Sequence, residues 1–91
     1  MYLHLGQDTM VHDKEILGIF DLDSATVQKN TRQFLALAEK NRQVVNVTNE
    51  LPKSFVVCTQ SAKQTIYISQ ISSATLKKRS LRQAEMPLEE Y

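Results

Sequence analysis

One stretch of the chain carries helical periodicity without ambiguity, and it limits what the rest can be. Between Ala25 and Asn41, the residues Val27, Thr31, Phe34, Leu35 and Ala38 fall at i, i+4, i+7, i+8 and i+11. That is one face of a helix at 3.6 residues per turn. Lys29, Arg32, Gln33 and Lys40 mostly fall elsewhere. Asp21-Leu22-Asp23-Ser24 precedes the stripe, and an Asp or Ser there can accept from the free N–H groups of a first helical turn. Acid before the helix and base near its end also suit the helix dipole. The cap explains Asp21 and Asp23 better than a pair of catalytic acids does.

Most of the chain on either side of this helix reads as short strands. Tyr2-Leu3-His4-Leu5 and Thr9-Met10-Val11-His12 flank a turn at Gly6-Gln7-Asp8 and read as a hairpin. Glu15 to Phe20 is a nearly continuous apolar run, which predicts a strand buried on both faces, with Gly18 allowing close backbone approach. After the helix come Gln43–Thr48, Lys53–Thr59 and Thr65–Ser69, separated by turns at 49–52 and 60–64. Three strands with short connections predict an antiparallel meander. Ser72 or Ser73 can cap a second helix over about residues 74 to 83. The expected fold class is therefore α+β: a small, mainly antiparallel sheet with one long helix and a short basic C-terminal helix. Residues 1–83 form the single domain, and 84–91 an acidic, flexible tail.

At 91 residues the chain can bury only a modest core, so self-association is expected on size alone. A 42% apolar and 23% charged composition excludes disorder throughout. No apolar run reaches membrane-spanning length, and the first residues lack a secretory signal pattern. A cytoplasmic protein without membrane contact is expected.

Charge is segregated. Residues 1–27 sum to −4, residues 28–82 to +8, and residues 83–91 to −3. Such asymmetry fits an anionic partner, and it fits equally well head-to-tail packing of identical subunits. The sharpest concentration is Lys77, Lys78, Arg79 and Arg82, four cations within six residues of the second helix. Lys78 and Arg82 share a face at i, i+4. Lys53, opening the most apolar strand, is a fifth candidate. Neutralised phosphates release counterions, so such a cluster suits a nucleic-acid backbone. Few aromatics interleave with it, which favours duplex over single-stranded contact. A solvated helix face is the plain alternative.

Catalysis has no support in the sequence. Gly-rich phosphate loops, GxSxG, HExxH and CxxC are absent. Cys58 lies inside an apolar strand and reads as a small buried hydrophobe. His4, His12, Asp8 and Cys58 lack metal-ligand spacing. No metal, cofactor or enzymatic activity is expected. Asn46-Val47-Thr48 matches a glycosylation sequon, but the Val-rich strand accounts for it.

Four blocks together resemble a known family: Tyr2-Leu3-His4-Leu5-Gly6, Glu15-Ile16-Leu17-Gly18-Ile19-Phe20-Asp21, Pro52-Lys53-Ser54-Phe55-Val56-Val57, and Ser72-Ser73-Ala74-Thr75-Leu76-Lys77-Lys78-Arg79. Their order and spacing resemble the RemB branch of the RemA/RemB regulators of bacterial extracellular-matrix (biofilm) genes, over about residues 1–82. The resemblance implies a ring-forming homo-oligomer that binds double-stranded DNA through a repeated basic surface. The chain also departs from the RemA branch. Where that branch has a DNA-linked arginine pair, this chain has Glu50 and Leu51, and a further arginine position is Glu15. DNA contact would then rest on Lys53, Lys77, Lys78, Arg79 and Arg82. The alternative is a protein-interaction module of the same regulatory system, docking on its own copies or on a related regulator without binding DNA.

Overall fold

The computed structural model describes residues 2–25 and 28–85, with side chains described as far as residue 80. The elements are β1 (Tyr2–Gly6), β2 (Thr9–His12), a 3-10 turn (Asp13–Glu15), β3 (Ile16–Asp21), α1 (Leu22–Ala25), α2 (Lys29–Lys40), β4 (Val44–Asn46), β5 (Ser54–Gln60), β6 (Lys63–Ser69) and α3 (Ser73–Glu85). The fold is α+β with two sheets, mainly antiparallel.

β1 and β2 form the expected hairpin, Tyr2 opposite His12 and Leu3 opposite Val11. Gly6 sits at φ +124, a backbone that side-chain-bearing residues rarely adopt. The other four strands form one sheet in the order β3-β5-β6-β4. Alternation along β5 divides its core in two. Val56 and Cys58 join Leu3, Leu5, Val11, Val47 and Leu76 on the side covered by the hairpin and α3. Phe55 and Val57 join Ile66 and Ala38 on the side covered by α1 and α2.

The meander is not what forms. β4 does not pair with β5; it runs parallel to β6, Val44 beside Ile66 and Asn46 beside Ile68. The two-residue turn Ser61-Ala62 holds both residues at positive φ and locks β6 antiparallel against β5. β3 occupies the other edge of β5. Residues 47–53 then pass the end of β6, pinned by Val47 N–H to Ile68 O (2.9 Å) and Lys53 N–H to Ser69 O (2.8 Å). These seven residues easily cover two strand spacings of roughly 4.8 Å each.

β3 also differs from expectation. It is an edge strand, and its second face is open: Leu17 is 63% and Phe20 41% exposed. The close neighbour of Gly18 is a side chain and not backbone: a Cβ there would lie 2.7 Å from the Phe20 ring. That ring stacks on Phe55 with centroids 5.0 Å apart.

The single helix over 25–41 is instead two. Asp21 caps α1, its Oδ2 accepting from Ser24 N–H (3.1 Å) and Ser24 Oγ–H (2.7 Å). Gln28 is extended, at φ −86 and ψ 133, before α2 begins. Leu22 and Ala25 of α1 and Leu35 of α2 all pack against the cluster of Ala38, Phe55, Val57 and Ile66. Val27 of the expected stripe lies outside the described residues. Of the remainder only Ala38 is fully buried, and Phe34 is exposed.

α3 begins where Ser72 accepts Thr75 N–H at 3.2 Å. It continues through Ala84 and Glu85; residues 86–91 of the expected tail lie outside the described residues.

Candidate nucleic-acid interface

α3 is amphipathic around Leu76, which is fully buried against Leu3, Leu5 and Val56. Successive helical residues turn by about 100°. Lys77 and Arg79 therefore flank Leu76 on opposite sides, and Lys78 points outward. All three are exposed. Arg79 leans on the hairpin, its Nη1–H donating to His4 O at 3.4 Å. Lys77 faces the other way, toward Asp21 at the end of β3. The Ser24 hydroxyl and amide bonded to Asp21 hold its carboxyl below the ordinary carboxylate range, and Lys77 pulls in the same direction.

Lys53 reaches the same end of the molecule by a different route. Its neighbour Ser54 is the ladder partner of Asp21. Its amide donates to Ser69 O, and its carbonyl accepts from Leu22 N–H at 2.9 Å. The backbone is fixed while the side chain is exposed. Lys53 and Lys77 thus converge on the Asp21 end, Lys78 faces outward, and Arg79 lies along the hairpin. Arg82 is part of α3, with its side chain outside the described residues. Lys53, Lys77, Lys78 and Arg79 do not form one flat patch; they wrap the α3 side and one end of the sheet. In the loop before Lys53, Glu50 N–H is held by Thr48 Oγ1 at 3.0 Å and Leu51 is 81% exposed.

The remaining chemistry-bearing residues are structural. Cys58 is buried, and burial, with the Glu15 charge nearby, pushes its thiol up to about 11. Burial also raises the Tyr67 hydroxyl. His4 Nε2–H donates to Gln7 O at 2.6 Å, closing the hairpin turn. His12 Nδ1 accepts Lys14 N–H at 3.2 Å, capping the 3-10 turn. Among the described residues no three His, Cys, Asp or Glu converge as a metal site. No helix among them is long and apolar enough to cross a membrane.

Residues 2–80 match the family described as RemA-like, extracellular matrix regulatory protein A-like. The chain belongs to the RemA-like family. Extracellular matrix regulatory protein B of Bacillus subtilis (strain 168) is 42% identical over 80 residues, which is 88% of this chain and 90% of that protein. The family is one of regulatory proteins rather than enzymes. The resemblance carried by the four sequence blocks is therefore borne out in this RemA-like chain.

One feature had no expectation attached to it. Leu17, Gly18, Phe20, Phe34, Phe55 and Val57 line a groove of about 340 Å³ between β3 and α2. The sequence carries no separate signal for it, since the apolar run holding Leu17 and Phe20 reads as a buried strand.

Proposed function

We propose that this protein is a non-enzymatic transcriptional regulator of extracellular-matrix (biofilm) genes. It acts in the cytoplasm as a ring-forming homo-oligomer and contacts duplex phosphates through Lys53, Lys77, Lys78, Arg79 and Arg82. The observation that carries the proposal is the exposure of Lys77, Lys78 and Arg79 on α3, in a chain 42% identical to an extracellular matrix regulatory protein. Phosphate contacts of this kind position a protein on DNA and do not themselves read bases. Repetition around an assembly multiplies a modest cluster through avidity.

The test is fluorescence anisotropy of a labelled duplex across a salt series. Binding should weaken with salt by about 0.9 log units per tenfold salt and per phosphate neutralised. Lys78→Ala with Arg82→Ala should lower affinity on all sequences alike and flatten that slope. Unchanged affinity and slope in the double variant would remove α3 from the mechanism.

A second reading has its own support. Asp21 partly offsets Lys77, and Glu50 and Leu51 stand where the RemA branch has its arginine pair. In that case the protein is an interaction module of the same regulatory system, recognising its own copies or a related regulator. An assembled protein that retains no duplex at low salt would favour it.

A further inference from the structure

Two apolar patches remain uncovered on opposite sides of the main sheet. The first lies on the α2 side, where Asn30, Phe34 and Leu37 follow one another at i, i+4 and i+7 along α2. Phe34 and Leu37 are 38% and 59% exposed, and across the groove Leu17 is 63% exposed. The second lies on the outer face of the hairpin. Tyr2 and Met10 are each 57% exposed. Tyr2 pairs with His12, and Met10 is two residues before His12, so the two side chains are diagonal neighbours on one face. The main sheet separates the patches, so one copy cannot use its own hairpin to cover its own groove.

The charges beside the patches are opposite. The hairpin and the turn after it, residues 2–15, carry Asp8, Asp13 and Glu15 against Lys14, a net −2. Helix α2 carries Lys29, Arg32 and Lys40 against Glu39, a net +2. An apolar centre with complementary charge beside it is the anatomy of a specific protein interface.

We infer that the β1–β2 hairpin face of one copy, through Tyr2 and Met10, docks on the α2 side of the next copy, on the groove lined by Leu17 and Phe34 and on exposed Leu37, one turn along α2 from Phe34. The contact is heterologous, because the two surfaces differ. Repeating it builds a ring where the rotation closes, and a filament where it does not. The inference deepens the proposed homo-oligomer by naming its two faces, and it rests on that part of the proposal alone. DNA takes no part in the contact.

The experiment uses the full chain without DNA, so failure of duplex binding leaves it untouched. Met10→Glu and Leu37→Glu each alter a residue more than half exposed in the subunit, and circular dichroism checks that both variants keep the fold. In sedimentation analysis the wild type should be a multi-subunit assembly and each variant should lose it. A second measurement separates the heterologous contact from a symmetric one. Met10→Cys and Leu37→Cys are treated with a short bismaleimide near pH 7, where buried Cys58, with its thiol up at about 11, stays silent. The mixture should cross-link to a dimer, while Leu37→Cys alone should not. A wild type that stays monomeric, charge variants that keep the wild-type mass, a mixture that fails to cross-link, or Leu37→Cys alone cross-linking as well as the mixture would each overturn the inference.

Discussion

Ser69 is fully buried, and its hydroxyl joins parts of the chain that no ladder connects. Its Oγ–H donates to Leu5 O at 2.6 Å, and its Oγ accepts Ile71 N–H at 3.0 Å. Leu5 sits where the hairpin register slips between His4 and Gly6, so the bond meets the hairpin at its bulge. Ser69→Ala keeps the side-chain volume nearly constant and removes both bonds. Each is worth about 1 kcal/mol net, and a buried group left without a partner costs about 1–3 kcal/mol. Leu5 is fully buried and Ile71 half-buried. The expected loss is therefore about 2–4 kcal/mol, a large share of the roughly 5–15 kcal/mol available to a small domain. Ser54→Ala is the internal control, because Ser54 Oγ–H makes one bond, to Ile71 O at 2.7 Å, and should cost about 1 kcal/mol. Urea denaturation at fixed protein concentration measures both, since assembly adds a concentration-dependent term. The slope should stay unchanged while the midpoint falls. Ser54 and Ser69 both bond Ile71, so the double variant should be non-additive. A Ser69→Ala cost below about 0.5 kcal/mol, or one no larger than that of Ser54→Ala, would refute the assignment of Ser69 as the tie between hairpin and sheet.

Three other outcomes follow from local geometry. Ser61 and Ala62 hold positive φ with exposed side chains, so Ser61→Asn with Ala62→Gly should stabilise the protein by about 1 kcal/mol, seen as a rise in Tm. Gly18→Ala should displace the Phe20 ring from Phe55 and cost about 1 kcal/mol in urea denaturation, the size of a lost aromatic stack. The folded state raises the Cys58 thiol to about 11 from an ordinary 9.0. Its contribution to stability is therefore full below pH 9 and lost as pH rises toward 11, a fall in Tm that Cys58→Ala should reduce.

Local chemistry explains why some elements were legible in the sequence. The hairpin, the Ser72 cap and buried Cys58 each depend on residues within a few positions and are found as read, whereas Asp21 caps the short α1 and the long helix α2 follows Gln28 without a side-chain cap. The errors share a cause in long-range competition. Nothing near Val44 indicates that its partner is Ile66 rather than β5; the Ser61-Ala62 turn and β3 together decide that. The stripe from Val27 to Ala38 has the period of a helix, yet Gln28 is extended and α2 begins only at Lys29, while Leu22 and Ala25 pack with Phe55 in another short helix. The apolar run at Ile16–Phe20 reads as burial, and its open face is visible only once β3 is placed at an edge. The basic character of these positions is legible because charge is readable without a fold. Their spread around α3 is not, since it depends on Leu76 being the residue that faces inward.

Leu76 also fixes when this protein can become a protein. It shares one cluster with Leu3 and Leu5, so β1 finds part of its apolar neighbourhood on a helix made only after β6. The α2 side, with Phe55, Val57, Ile66 and Ala38, is complete once β6 has been made. The emerging chain thus passes through a stage in which one half of its core can close while the hairpin still waits. A nascent chain stopped after Ser69 would expose Leu3, Leu5 and Val56 together, which makes the interval before α3 leaves the ribosome the one in which a chaperone would find most to hold.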